Sequence, residues 1–213
     1  MRPLISTLAI AALLTTASPV AQERRMDIGV RLGISAADGE PANDIPGAGV
    51  LAHYALNDDW TLGAAVDRTE YDFEEPAKIV GIVQDPTVDV VDSLAEATTL
   101  SLWVERSISD RSRPTSFFVG AGLGAAFTEV PDASGPRADG GRFDIHTDVD
   151  TEIIVSVLGG VRHRFGERWY GEVALHAAQH FADWRVTDQV TGSQGTIDDY
   201  LTWGAHIAVG WRW

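Results

Sequence analysis

The stretch from Tyr200 to Trp213 alternates without a break, and this constrains the fold more than any other feature of the chain. Leu201, Trp203, Ala205, Ile207, Val209, Trp211 and Trp213 share one side of an extended backbone. Tyr200, Thr202, Gly204, His206, Ala208, Gly210 and Arg212 share the other. Successive side chains of a strand point to opposite faces, so such a segment forms a β-strand with one wholly apolar face. Met26 to Ser35 repeats the pattern, with Met26, Ile28, Val30, Leu32 and Ile34 opposite Asp27, Gly29, Arg31, Gly33 and Ser35. Six further segments carry it: 47–57, 60–73, 95–108, 115–130, 148–165 and 168–186. In the fourth of these, Phe117, Val119, Ala121, Leu123, Ala125 and Phe127 oppose a row of Gly120, Gly122 and Gly124. Eight strands result.

The connections alternate in length. Asn57-Asp58-Asp59, Ser109 to Pro114 and Gly166-Glu167 are short polar turns of the hairpin kind. Between them, 36–46, 74–94, 131–147 and 187–197 are longer, rich in Asp, Gly, Pro and Ser, and read as loops. One end of the strand array therefore has tight turns and the other long connections, an asymmetry of transmembrane barrels.

The N-terminus fits export. Met1-Arg2 precedes an apolar run from Leu4 to Leu14, then small residues through Ala21, the layout of a cleaved signal peptide. Residues 1–21 are therefore expected to be signal peptide and 22–213 one β-barrel domain. No cysteine is present, so neither a disulfide framework nor a thiolate metal site is available. The net charge of -15 argues against nucleic acid as a partner. Lys78 is the only lysine, whereas a water-soluble sheet usually exposes several.

Alternation alone does not say which face is outside: a soluble ligand carrier turns its apolar face inward, a membrane barrel outward. Two features favour the second. The polar faces consist of Gly, Ala, Ser, His and a few charges, which suits a cramped interior. Aromatic residues also gather at strand ends. Trp60, Phe117, Trp169, Trp211 and Trp213 mark the short-turn rim; Tyr71, Phe73, Phe127, Phe181, Trp184, Tyr200 and Trp203 mark the loop side, as two bilayer interfaces would select. The reading is an all-β, eight-stranded antiparallel up-and-down transmembrane β-barrel with short periplasmic turns and long extracellular loops. Its interior is expected to receive Asp27, Arg31, His53, Asp67, Glu105, Arg162, Arg164, Glu172, His176, His180, His206 and Arg212. Along the strands, Arg31, Asp67, Glu172, His176 and His206 fall near mid-height, with Arg162 and Glu105 nearer the short turns. Charges in so narrow a space must pair, since their desolvation is otherwise severe. Arg68, Glu70 and Arg106 fall on the nominal lipid face.

The residues Ala55-Leu56-Asn57-Asp58-Asp59-Trp60-Thr61-Leu62, Phe118-Val119-Gly120-Ala121-Gly122-Leu123-Gly124 and Ala208-Val209-Gly210-Trp211-Arg212-Trp213 resemble the small eight-stranded outer-membrane proteins of the OmpA-transmembrane-domain, OmpX and OmpW-like type. The resemblance implies residence in the outer membrane of a Gram-negative bacterium, contact with outer-membrane lipid and lipopolysaccharide, a monomer, and recognition of the C-terminal strand by the barrel-assembly machinery. Trp213 stands where that family more often ends in Phe. The resemblance implies a structural or surface-interaction role. A narrow channel for ions or small solutes and a lipid-modifying outer-membrane enzyme are the alternatives. Lipid A deacylases of similar architecture use a His-x-Ser pair, whereas His180-Phe181-Ala182 holds alanine at the nucleophile position. No catalytic, metal or cofactor site is expected. The apolar run Ile79, Val80, Ile82 and Val83 in the longest loop is expected to fold back on the barrel or meet a partner.

Overall fold

The computed structural model describes residues 26–38, 45–73, 79–82, 93–109 and 113–213. The expected signal peptide lies outside them, as does Val83. Eight strands close into one antiparallel barrel: β1 (Met26–Asp38), β2 (Ile45–Ala55), β3 (Trp60–Phe73), β4 (Ser93–Ser107), β5 (Thr115–Glu129), β8 (Glu152–Phe165), β9 (Trp169–Phe181) and β12 (Tyr200–Arg212). Each pairs with its barrel neighbours in the sequence, and β1 pairs with β12 from Asp27 opposite Arg212 to Asp38 opposite Leu201, which closes the ring. A closed ring leaves no unpaired backbone edge, the condition for crossing a bilayer with strands.

The apolar faces point outward. Val30, Leu32, Ile34, Val50, Leu102, Leu123, Val157, Leu175 and Ile207 are exposed on the outer wall. A strand of 13 residues such as β9 or β12 is about 40 Å long, which, even tilted, exceeds the roughly 25 Å apolar band of such barrels. The short turns form the lower rim. Asn57 Oδ1 accepts the backbone N–H groups of Asp59 (2.9 Å) and Trp60 (3.0 Å), which shapes the β2–β3 turn, and Gly166 takes the left-handed backbone, φ 72°, that the β8–β9 turn requires.

The upper rim departs from the sequence reading. The connections 131–147 and 187–197 are not irregular loops. Together with the ends of 148–165 and 168–186 they form a second antiparallel sheet, β6 (Ala133–Pro136), β7 (Arg142–Val149), β10 (Trp184–Asp188) and β11 (Gln194–Ile197), in the order β11-β10-β7-β6. Topology explains the pairing. One hairpin joins β5 to β8, the other joins β9 to β12, and β8 and β9 are neighbours, so the hairpins rise side by side. The second sheet has its own core of Phe143, Ile145, Val186 and Ala133, against which Val80 and Ile82 pack. The apolar run in the longest connection thus covers this upper sheet. Trp184, buried with Ile45, Ala95, Ala97 and Ile197, joins the sheet to the mouth of the barrel.

Candidate functional site in the barrel interior

Three polar layers occupy the interior. The lowest is centred on Arg162 of β8, whose cross-strand partner on β9 is Glu172. Its Nε donates to Glu172 Oε2 at 2.8 Å, and Nη1 and Nη2 donate to Glu105 of β4 at 2.7 and 3.2 Å. Nη2 also donates to His53 Nε2 at 3.0 Å. His206 of β12 donates Nε2–H to Glu172 at 3.2 Å. Arg162 is 8% exposed, Glu105 1% and Glu172 4%, so five strands contribute to one dry layer. The guanidinium lies 4.9 Å from the ring of Phe118, whose inward position on β5 gives Arg162 a surface to cross on its way to Glu105. Beneath it, Asp27 and Arg212, paired across the closing strands, share bonds of 2.8 and 3.0 Å.

The middle layer is built on a row with a gap in it. Arg31 of β1 stands opposite Gly49 of β2, and Gly49 opposite Asp67 of β3. With no side chain at 49, Arg31 reaches across β2 to Asp67, bonding through Nε at 2.6 Å and through Nη2. A Cβ at 49 would strike the Asp67 carboxylate. The same device seats Trp103: its indole lies over Gly63, its partner on β3, and the Arg31 guanidinium sits 5.7 Å from that ring. Opposite, His176 Nε2 and Ser35 Oγ are 3.0 Å apart, and the rings of His176 and His206 are 6.0 Å apart. Between these groups lies a cavity of about 170 Å³, lined in part by Arg31, Asp67, Ser101, His176, His180 and His206. Thr69 Oγ1 and Ser101 Oγ are buried without a protein partner, and both residues line this cavity, so it is a place for water.

The top layer surrounds Glu152, which is 0% exposed. Its Oε2 accepts from His180 Nδ1 (2.9 Å) and Tyr200 O–H (2.9 Å); its Oε1 accepts from Trp184 Nε1 (3.0 Å) and Thr128 Oγ1 (3.3 Å). Four donors leave the carboxylate fully satisfied. His180 stacks on Tyr200 at 4.5 Å and its Nε2 lies 3.1 Å from Thr202 Oγ1. A carboxylate, an imidazole and a hydroxyl in line invite comparison with nucleophilic catalysis. Here, however, Thr202 donates its proton to the Ala178 carbonyl at 3.4 Å. The Thr202 hydroxyl therefore has a backbone acceptor as well as the imidazole, and Glu152, His180 and Thr202 are all buried within this layer.

The sequence-derived residues thus fall as follows. Glu105, Arg162, Glu172 and His206 meet in one layer with His53; Arg31 and Asp67 meet in another, beside His176. Glu172 stands beside Arg162 rather than well above it, because the β8–β9 register pairs them directly. Arg164 sits at the lower rim, where it donates to the Arg113 carbonyl. Glu152 was not among the residues assigned to the interior, although its parity with Ile154 and Arg162 places it there. On the outer wall, Trp60, Phe117, Trp169 and Trp213 are exposed at the lower rim with Trp211 half-buried beside Trp169, and Trp203, Phe127 and Phe181 are exposed above. Trp184 and Tyr200 are not part of the upper belt. Both turn inward to Glu152, which supplies the polar partner their N–H and O–H groups need when buried. The side chains of Tyr71 and Phe73 lie outside the described residues. Arg68 and Glu70 are exposed on the outer wall, Arg68 in an ion pair with Glu96.

A closed ring of eight antiparallel strands in up-and-down order, apolar without and charged within, is the fold of the small outer-membrane β-barrels. Solved structures agree. The outer membrane protein OprG of Pseudomonas aeruginosa superposes with a TM-score of 0.58 at 9% identity, over 92% of this chain and 99% of that one. The outer membrane protein AlkL, solved by solid-state NMR in DMPC bilayers, gives 0.56 at 10% identity, over 92% and 93%. Neisserial surface protein A gives 0.50 at 15% identity, over 88% and 96%. No protein-family model matches the chain, and no curated protein sequence does.

Proposed function

We infer that this chain is an integral outer-membrane protein of a Gram-negative envelope, non-enzymatic, whose barrel is a closed scaffold and whose working part is the upper sheet held outside the cell. The observation that carries the reading is the Arg162 layer. A guanidinium shared by Glu105 and Glu172, with His53 and His206 packed around it, fills the cross-section of an eight-stranded interior, which is about wide enough for side chains alone. Such a barrel is a mount. The part it mounts is a four-stranded sheet with its own apolar core, and a sheet that merely joined strands would not need one. On this reading the short turns are periplasmic and the outer wall meets lipid and lipopolysaccharide.

A second reading, a narrow ion path, is favoured by the polar-lined cavity between the Arg162 and Glu152 layers. Two measurements on the full chain separate the possibilities. Expressed in a Gram-negative host, the protein should appear in the outer-membrane fraction as a band whose gel mobility changes on boiling. Reconstituted in planar bilayers, it should add no steady conductance. Recovery as a soluble periplasmic protein with no heat shift would refute the membrane reading. Resolved conductance steps would refute the closed scaffold and favour the ion path.

A further inference from the structure

Most arginines described above have carboxylate partners: Arg31 with Asp67, Arg68 with Glu96, Arg162 with Glu105 and Glu172, Arg212 with Asp27. Arg106 and Arg168, exposed at the lower rim, lie instead beside tryptophan rings. Arg106 of β4 is exposed on the outer wall, and its guanidinium lies 5.8 Å from the ring of Trp60, its cross-strand partner on β3. Arg168, in the β8–β9 turn, is exposed and lies 5.5 Å from the ring of Trp211 on β12. Trp211 is braced edge-on by Trp169 at 4.8 Å. Neither guanidinium has an ion-pair partner among the described residues. In the closed strand order the β3–β4 pair and the β9–β12 pair stand on opposite sides of the ring, so each half of the lower rim carries one such unit.

A guanidinium 5.5–5.8 Å from an indole ring is drawn to it as a cation to a π face, and it carries a planar fork of N–H donors. That fork matches the oxygens of a phosphate two at a time. The depth also fits, because tryptophans on a barrel wall settle at the level of the lipid headgroups and arginines beside them extend toward lipid phosphate. The upper sheet is unsuited to the same ligand: Asp132, Asp144, Asp148 and Asp139 are exposed there, which repels an anion. We propose that Arg106 with Trp60, and Arg168 with Trp211, form two docking sites for the phosphate of anionic phospholipids in the periplasmic leaflet of the outer membrane.

The inference rests on the membrane reading above, and its test is separable from it. The full-length protein in detergent is incubated with phosphatidylglycerol, and the lipids retained are counted by native mass spectrometry. Wild type should retain two, R106Q or R168Q one, and the double variant none. R106K with R168K keeps the charge but loses the planar fork, and should retain fewer than wild type. The heat-dependent gel shift is recorded for every variant, so loss of the lipid is scored only on a folded barrel. A double variant that folds and retains as many phosphatidylglycerol molecules as wild type overturns the proposal. Equal retention of phosphatidylcholine, whose ammonium cancels the phosphate charge, overturns it too. In either case a wild-type protein that still inserts and shifts leaves the membrane reading standing.

Discussion

Replacing Arg162 with methionine removes one cation from between two buried carboxylates, and the size of the loss follows from the geometry. Glu105 would keep the Trp103 indole at 3.4 Å and Glu172 would keep His206 at 3.2 Å, with the His53 imidazole 4.0 Å from the first carboxylate and 3.9 Å from the second. Breaking a buried ion pair by deleting one partner costs about 3–5 kcal/mol, mostly through the charge left behind. Because Arg162 serves two carboxylates, R162M belongs at the upper end, about 5 kcal/mol, or more than a thousandfold in the ratio of folded to unfolded barrel. Urea titration of barrels refolded into lipid vesicles, scored by the fraction that keeps the fast-migrating folded band, measures this directly. A companion variant, R162M with E105L and E172L, removes the whole charged layer. Replacing a complete buried ion pair or triad by apolar residues is often neutral or stabilising, so the triple variant should recover most of the loss despite carrying more substitutions. R162M within about 1 kcal/mol of wild type would refute the view that this layer is desolvated. A triple variant as unstable as R162M would refute the electrostatic origin of the loss.

Other positions test other layers. G49V places a side chain where Arg31 and Asp67 meet, and should cost about 3 kcal/mol in the same titration through overpacking and the disrupted pair. W184A removes the side chain that ties the upper sheet to the Glu152 layer; the barrel should still show its heat shift, while protease added to intact cells should cut within 131–150 much faster than in wild type. His146, on the exposed face of the upper sheet, has Asp132 Oδ1 at 2.6 Å from one ring nitrogen and Asp148 Oδ1 at 3.3 Å from the other. The hydrogen bond to Asp132, then the charge of Asp132, raise its pKa above the ordinary value of 6.5. A raised folded-state pKa stabilises the sheet fully below the unfolded value, and that contribution is lost as pH rises through the folded one. The NMR titration midpoint of His146 should therefore lie above 6.5, and a midpoint at or below it would sink the argument.

What the sequence disclosed about this fold, and what it concealed, divides along a physical line. The membrane strands were legible because lipid on one side and a crowded interior on the other impose a strict alternation. Val30, Leu32 and Ile34 could only lie together, and Arg31 could only lie opposite. The upper sheet was not, for two reasons. At Ala182-Asp183 the chain leaves the barrel by a two-residue break that preserves parity, so Tyr170, Glu172, His180, Trp184 and Val186 are all inward and the alternation runs straight through the junction. The strands β6 and β11 are four residues each and contain Gly135 and Gly195, too short for a period to register. Within the interior, parity assigned each charge to the correct side but not to its partner. Arg31 meets Asp67 because Gly49 happens to stand between them in the row, and Arg162 and Glu172 share a level because the three-residue β8–β9 turn sets that register.

Those two facts have one cause. Period two is a property of a single strand, whereas partner choice is a property of register, and register is set by turns and by side-chain volumes on neighbouring strands. Glu152 shows what this implies for the interior as a whole. Its four donors come from β5, β9, β10 and β12, and β10 belongs to the upper sheet. The carboxylate is therefore satisfied only when the barrel has closed and the upper sheet has docked. A buried carboxylate left with fewer donors is strongly unfavourable, so Glu152 couples the two units: the mouth of the barrel is at its most stable with the outer sheet seated on it. The polar interior then does more than fill space. It makes the position of the exposed sheet a condition of the barrel's own stability.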